Sequence, residues 1–448
     1  MHKSFRLLFL ALLPTLAWGQ SIRFEHDTLF VKIQGSGKVP AHKLINSAKH
    51  LFGSIYQLKT SDALLLENDL RLHPNVAWAE KSFIGTPREL ARPSENKSIE
   101  ETELEVFNNF NDPQAGRVWA FRDATQNGIS IETAYARLPN RNAEDIIVAV
   151  VDTGVDYNHE DLKNRMWINA GEVAGNGLDD DNNGYIDDVY GINTLARNAQ
   201  GGATGNPMDT HSHGTHVSGT IAAEQNNGKG IAGIASNAKI MAIRTVPNNG
   251  DETDRDVVES FLYAGKNGAR LINCSFGKKV NEGGMIVSET IKHIGLTYGT
   301  LVVAAAGNDS FGPLRWHDID RSPRYPASFN NDHLLVIAST QTNGGFSSFS
   351  NIGIVGVDVA APGSDVHSTT PGNRYESMSG TSMASPTTAG VAAQILSYFP
   401  GLSPLELKDV LMKSVTPVPA FKGRIVTGGR VDLLRALDYA EMTYPDKI

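Results

Sequence analysis

Asp152 follows six apolar residues, Ile146 to Val151, and precedes Thr153 and Gly154. A carboxylate at the end of a buried apolar run is costly unless a donor meets it. His213 lies in Thr210-His211-Ser212-His213-Gly214-Thr215-His216, ahead of a helical stretch dominated by small residues. Ser382 lies in Ser379-Gly380-Thr381-Ser382-Met383-Ala384-Ser385-Pro386, where a helix is expected to begin near Thr381. Together these residue types suit one chemistry. A hydroxyl is a poor nucleophile near neutral pH unless a base stands within hydrogen-bond reach and a third group orients that base. A serine at a helix start also has free N–H groups beside it that can donate to an oxyanion. Each position has a structural alternative: a turn for Asp152, and an N-cap shared among Ser379, Thr381, Ser382 and Ser385. Of the three histidines, His216 sits inside the helix and reads as structural, and His211 is expected to be exposed.

A second constellation is Asp179-Asp180-Asp181-Asn182-Asn183-Gly184-Tyr185-Ile186-Asp187-Asp188. Asp179, Asp181, Asn183 and Gly184 reproduce positions 1, 3, 5 and 6 of a calcium loop, and Tyr185 could give its carbonyl. Position 12 is Tyr190 rather than glutamate, so Asp187 or Asp188 would have to close the site. The alternative is a solvated acidic turn. Neither a P-loop, nor G-x-S-x-G, nor H-E-x-x-H occurs.

Taken together, the three motifs around Asp152, His213 and Ser382 resemble those of the subtilisin family of serine proteases. Val151-Asp152-Thr153-Gly154-Val155, His213-Gly214-Thr215-His216-Val217 with Gly219-Thr220, and Gly380 to Pro386 match its aspartate, histidine and serine motifs in the family's order. The likeness covers about residues 115 to 440 and selects His213 and Ser382 among their neighbours. It implies a serine endopeptidase acting on protein or peptide substrates through an acyl-enzyme on Ser382. Ala304-Ala305-Ala306-Gly307-Asn308 matches the segment carrying the oxyanion asparagine, here Asn308, with the Ser382 N–H as second donor. Ser275, Phe276 and Gly277 would form one wall of the specificity pocket, and Ala305, Ala306 and Gly307 the other. An extended substrate would pair with the first wall as an added strand. Both walls are small or apolar, so broad specificity with a large apolar P1 residue is expected. The pocket floor is expected in or beside Asp309 to Ser328, a stretch unusually rich in charge. His73-Pro74-Asn75-Val76-Ala77-Trp78-Ala79-Glu80 resembles part of the family's propeptide, which would assist folding and block the cleft until cut. A peptide-binding pseudoprotease is the non-enzymatic alternative; it would be expected to lack a triad member or the oxyanion amide, and all four residues are present.

The elements that must hold these residues read as α/β. Ile146–Val151, Ile240–Ile243, Leu271–Cys274, Leu301–Ala305 and Leu334–Ile337 are continuous apolar runs, separated by helical patterns such as Asp256–Asn267 and Ile286–Tyr298. Buried strands alternating with helices predict a mostly parallel sheet covered on both faces, with ligands at the carboxyl ends of its strands. The resemblance makes this a three-layer subtilisin-like fold. Upstream, Leu29–Ile33, Ile55–Leu58 and Asn75–Ala79 read as strands, and Ala41–Phe52 has helical apolar spacing. The expected organisation is a signal peptide at 1–19, a small α/β propeptide domain at 20–83, an acidic proline-containing linker with the processing site at 84–112, and a catalytic domain at 113–448.

The signal rests on Lys3 and Arg6, the short apolar core Leu7–Leu13, and small residues around Trp18. That core is too short to span a bilayer, so export to a periplasm or the extracellular space is expected. A net charge of −9 argues against nucleic acid as a partner. No organic cofactor is implied, and a monomer is expected. The lone Cys274 lies in an apolar run and reads as a buried hydrophobe. Without an internal disulfide, stability must come from a large core, bound metal, or both.

Overall fold

The computed structural model describes residues 22–448 except 36, 86–91, 94–104, 139–142, 200, 251, 280–283 and 311–314. The expected signal peptide and most of the linker therefore lie outside the described residues.

The amino-terminal unit holds β1 (Phe24–Ile33), β2 (Ile45–Phe52), β3 (Ile55–Thr60), α1 (Ala63–Arg71) and β4 (Val76–Phe83), in a sheet ordered β2-β3-β1-β4. One expectation needs correction. Ala41–Phe52 is not a helix: Ile45–Phe52 is an edge strand antiparallel to β3. Its apolar residues mimic a helical period, but Gly53, at φ +52°, turns the chain straight back into Ile55. That short connection selects a hairpin. The helix instead lies at Ala63–Arg71, where Asp62 caps the Leu65 N–H.

After the two-residue strand β5 (Arg92–Pro93) comes the large layer. Its strands are β6 (Ile146–Asp152), β7 (Gly191–Arg197), β8 (Ala203–Thr204), β9 (Ala238–Arg244), β10 (Leu271–Cys274), β11 (Leu301–Ala305), β12 (Leu334–Thr340) and β13 (Val359–Pro362), with β14 (Val366–Thr370) and β15 (Arg374–Ser379) in a separate hairpin, then β16 (Thr416–Pro417) and β17 (Gly429–Arg430). The ten-stranded order is β16-β17-β13-β12-β11-β10-β6-β9-β7-β8, and its centre is parallel throughout. The helices of this region are α2 (Ile131–Arg137), α3 (His213–Ala222), α4 (Asp254–Lys266), α5 (Ile286–Tyr298), α6 (Thr381–Tyr398), α7 (Pro404–Lys413) and α8 (Leu433–Thr443).

Alternation along β6 shows how the sheet is buried on both faces. Val148 and Val150 point into the cluster shared with α3 and α6, whereas Ala149 and Val151 point into the cluster shared with α4 and α5. The result is three layers, helices on either side of a mostly parallel sheet. Cys274 is fully buried in the second cluster, as its setting predicts.

The small unit docks on the amino-terminal ends of α4 and α5. The Glu80 carboxylate accepts from the backbone N–H groups of Met285 and Ile286, the latter at 2.7 Å. Ser82 Oγ accepts from the Arg255 N–H, and Asp254 accepts from the Phe83 N–H, both at 3.1 Å. The Met285, Ile286 and Arg255 N–H groups are helix-end donors with no partner inside their own helix, whereas the Phe83 N–H comes from β4. Burial of Glu80 pushes its carboxyl up to about 7, against the lowering effect of the two N–H bonds.

Candidate active site

β6, β10 and β11 end side by side, and the segments that follow them meet the starts of α3 and α6. Asp152 closes β6. Its Oδ1 accepts from the Thr153 N–H at 2.8 Å and stands 2.7 Å from His213 Nδ1. Both side chains are 1% exposed. α3 can come this near because residue 214 is glycine: a Cβ there would lie 2.0 Å from the Gly154 carbonyl oxygen and 3.1 Å from Asp152 Cβ. His213 Nε2 is buried and makes no hydrogen bond among the described residues.

Ser382 is the second residue of α6, with Gly380 at the N-cap and no side-chain cap bond. The N-cap alternative for Ser382 is therefore not what the fold adopts. Its Oγ donates to the Ser275 carbonyl at 3.2 Å, and Ser275 Oγ donates back to the Ser382 carbonyl at 3.0 Å. Asn273 Nδ2 donates to Ser275 Oγ at 2.9 Å, and Ser385 Oγ donates to Asn273 Oδ1 at 2.8 Å. The end of β10 is thereby bolted to the first turn of α6. Asn308 Oδ1 accepts from the Thr381 N–H and Oγ1–H at 2.8 and 2.9 Å. With the amide oxygen held, the Nδ2 donor is the atom left for another partner.

Ser275, Phe276, Ala305 and Ala306 are all buried, and Phe276 and Ala306 belong to the hydrophobic core. The side chains of those two positions are therefore part of the core. The two flanking glycines, Gly277 and Gly307, are half-buried.

The histidines sort by environment. His216 is fully buried, with Nε2 at 3.0 and 3.1 Å from the Val366 and Glu376 carbonyls. Burial, with His213 and His367 nearby, pushes it down to about 3, so it is neutral and donates to those carbonyls. His211 is half-buried rather than exposed; partial burial and the neighbouring His213 shift it downward.

Sequence reasoning missed Asp209. Its carboxylate accepts from Thr153 Oγ1, the N–H groups of His211, Ser212 and Thr215, and Thr215 Oγ1. It ties the loop before His213 to the end of β6. An aspartate just ahead of a helix is a cap signal that could have pointed to it.

In the acidic loop, Asp179 and Asp181 come together with Glu172, each offering an oxygen within 4.8 Å of the others. Glu172 Oε2 is shielded and has no hydrogen-bond partner among the described residues. An all-oxygen carboxylate set of this kind fits a hard cation such as calcium. Glu172 was missed because it precedes the motif by seven residues. Asn183 Nδ2 donates to Asp181 and Asp188. The Tyr185 hydroxyl reaches Glu259 at 3.4 Å. Asp188 is fully buried, bonded by Asn169, Asn183 and Tyr263, and lies outside the trio.

A profile of the subtilase family matches residues 143–430. The chain belongs to that family of serine endopeptidases. It is 34% identical to subtilisin-like protease 1 of Plasmodium vivax over 65% of this chain and 47% of the relative. It is 36% identical to thermitase of Thermoactinomyces vulgaris over 65% of this chain and 88% of the relative. A solved protease structure from Pseudoalteromonas arctica superposes with a TM-score of 0.58 at 27% identity, covering 74% of this chain and all of that one. The chain spans about half the length of the Plasmodium relative it matches.

Proposed function

We propose that this chain is an exported serine endopeptidase, made as a zymogen, with Asp152, His213 and Ser382 as its triad. The observation that carries the reading is the buried Asp152–His213 contact of 2.7 Å beside the start of the helix that bears Ser382. Ser382 Oγ attacks the scissile carbonyl carbon while its proton passes to His213 Nε2. Asp152 holds Nδ1 protonated and supports the imidazolium that forms. The developing oxyanion is met by Asn308 Nδ2 and the Ser382 N–H. His213 then gives its proton to the leaving amine, and water repeats the sequence to free the acyl group. In the absence of substrate Ser382 Oγ is turned to the Ser275 carbonyl; catalytic hydrogen bonds often form only in the complex. The small or apolar pocket walls support broad specificity with a large apolar P1 residue.

The unit 20–83 acts as an intramolecular inhibitor and the linker 84–112 as its processing site. Its docking on α4 and α5 supports this reading, as does the pairing of β5 with β15, which sets Arg92 opposite Ser379, three residues before Ser382. Calcium would be held by Glu172, Asp179 and Asp181, with the Tyr185 carbonyl and a reoriented Asn183 amide available; its part is to stabilise the loop. Asp188 serves as a hydrogen-bonded neighbour. The residues ahead of 20 read as an export signal. No helix among the described residues is long and apolar enough to cross a membrane.

The test is Ser382→Ala against wild type. The wild type should cleave a denatured protein and take up one equivalent of a phosphonyl fluoride at Ser382. The variant should do neither while keeping its circular dichroism. Normal cleavage by the variant would sink the assignment.

A further inference from the structure

Two described parts of the charged stretch after Asn308, namely Asp309 and Arg324–Tyr325, abut the segments expected to wall the specificity pocket. Tyr325 and Lys278 exchange backbone hydrogen bonds of 2.8 and 2.9 Å, directly after the wall Ser275–Gly277. The approach is tight, for a Cβ at Gly277 would stand 2.9 Å from the Tyr325 carbonyl oxygen. Arg324, the residue before Tyr325, reaches to the other wall: its Nε donates to Asp309 Oδ2 at 2.8 Å. Asp309 directly follows Asn308 and is fixed by buried Asn351. That residue accepts from the Asp309 N–H at 2.8 Å and donates to its carboxylate at 3.0 Å and to the Ala306 carbonyl at 2.9 Å. Lys279 Nζ adds a second cation 3.7 Å from Asp309 Oδ1. The consecutive residues Arg324 and Tyr325 thus reach both wall segments, Arg324 through its side chain and Tyr325 through its backbone.

Arg324 is not used up by this role. Nη1 donates to the Pro323 carbonyl at 2.9 Å, whereas Nη2 has no partner among the described residues. The side chain is 15% exposed, so this donor is shielded but reachable. Burial would raise the Asp309 carboxyl, but bonds from Arg324 and Asn351 and the guanidinium charge hold it at about 2. The Asp309 carboxylate is thus favoured beside the guanidinium. Arg324 and Lys279 place two cations beside the one Asp309 carboxylate.

We propose that Arg324, held by Asp309, is a specificity-determining residue that selects a P1 side chain with an apolar stem and an oxygen acceptor at its tip, glutamine or glutamate ahead of leucine or phenylalanine. This rests on the serine-endopeptidase reading above, and it replaces a P1 residue that is apolar throughout.

Four peptides differing only at P1 (Gln, Glu, Leu, Phe) should be compared by kcat/KM on mature wild type and on Arg324→Met, at low and at 1 M salt. Wild type should favour Gln and Glu over Leu by about tenfold or more, the scale of one hydrogen bond to a charged group. Arg324→Met should erase that ratio while still taking one equivalent of phosphonyl fluoride at Ser382, which shows that the variant has folded. If the variant does not label, wild type decides: its Glu-to-Leu ratio must shrink in high salt. A wild-type preference for Leu or Phe, or an unchanged ratio in a labelled variant, overturns the proposal. Wild type that neither cleaves nor labels overturns the endopeptidase reading and this inference with it, whereas labelling with the wrong P1 order overturns the inference alone.

Discussion

Thr381 presents both its backbone N–H and its hydroxyl to Asn308 Oδ1, so one residue at the start of α6 sets the direction of the amide. Asn308→Ala should lower kcat about 10²–10³-fold with little change in KM, a figure carried over from subtilisin, a relative. Thr381→Val keeps one of the two bonds and should cost about tenfold. Steady-state kinetics on one peptide series checks both; a pure KM effect in Asn308→Ala would remove it from the oxyanion site.

Asp209 takes five hydrogen bonds with its side chain 4% exposed in the folded chain. Asp209→Ala leaves those donors buried and unmet, and should cost about 3 kcal/mol of stability. Because the same loop carries His213, kcat should fall as well. A denaturant curve on the Ser382→Ala background measures the first effect without self-digestion; a shift under 1 kcal/mol would contradict it.

Glu80 gives the docking of the small unit a pH dependence. Its carboxyl in the docked state is pushed up to about 7 by burial, with Asp254 adding to the rise and Lys278 opposing it. A raised pKa means that the docked state holds the proton more firmly than the free one. The contribution is complete below the ordinary value near 4.5 and is lost as pH rises through about 7. The isolated small unit should therefore inhibit the mature enzyme more tightly at pH 5 than at pH 8. Glu80→Gln should flatten that slope, and an inhibition constant that tightens with rising pH would reverse the assignment.

Calcium should raise the melting midpoint of the Ser382→Ala protein and a chelator should lower it, with magnesium a poor substitute. Glu172→Gln should weaken the effect as much as Asp181→Asn does, since both side chains reach the same point. Identical curves with and without chelator would leave Glu172, Asp179 and Asp181 as an acidic turn.

Much of this was legible from the chain alone. Leu271–Cys274, Leu301–Ala305 and Ile286–Tyr298 were readable to the residue because short, largely apolar runs and a helical period leave little choice. Ile45–Phe52 was not, because its edge position leaves most side chains exposed and its apolar spacing then reports nothing about a core. Asp152, His213 and Ser382 stood out through their neighbours. Glu172 did not, and Arg324 was only one charge in the stretch after Asn308, since their partners are supplied by the folded chain; Asp209 did not because it lies four residues ahead of the helix it caps, although most of its partners are local.

The pairing of Arg92 with Ser379 has a kinetic consequence. The linker and the nucleophile belong to one molecule and are held at fixed spacing, so their encounter needs no diffusion. Cutting of the linker should then be first-order, with a half-time that does not change on dilution, and the precursor would mature at the same pace however scarce it is.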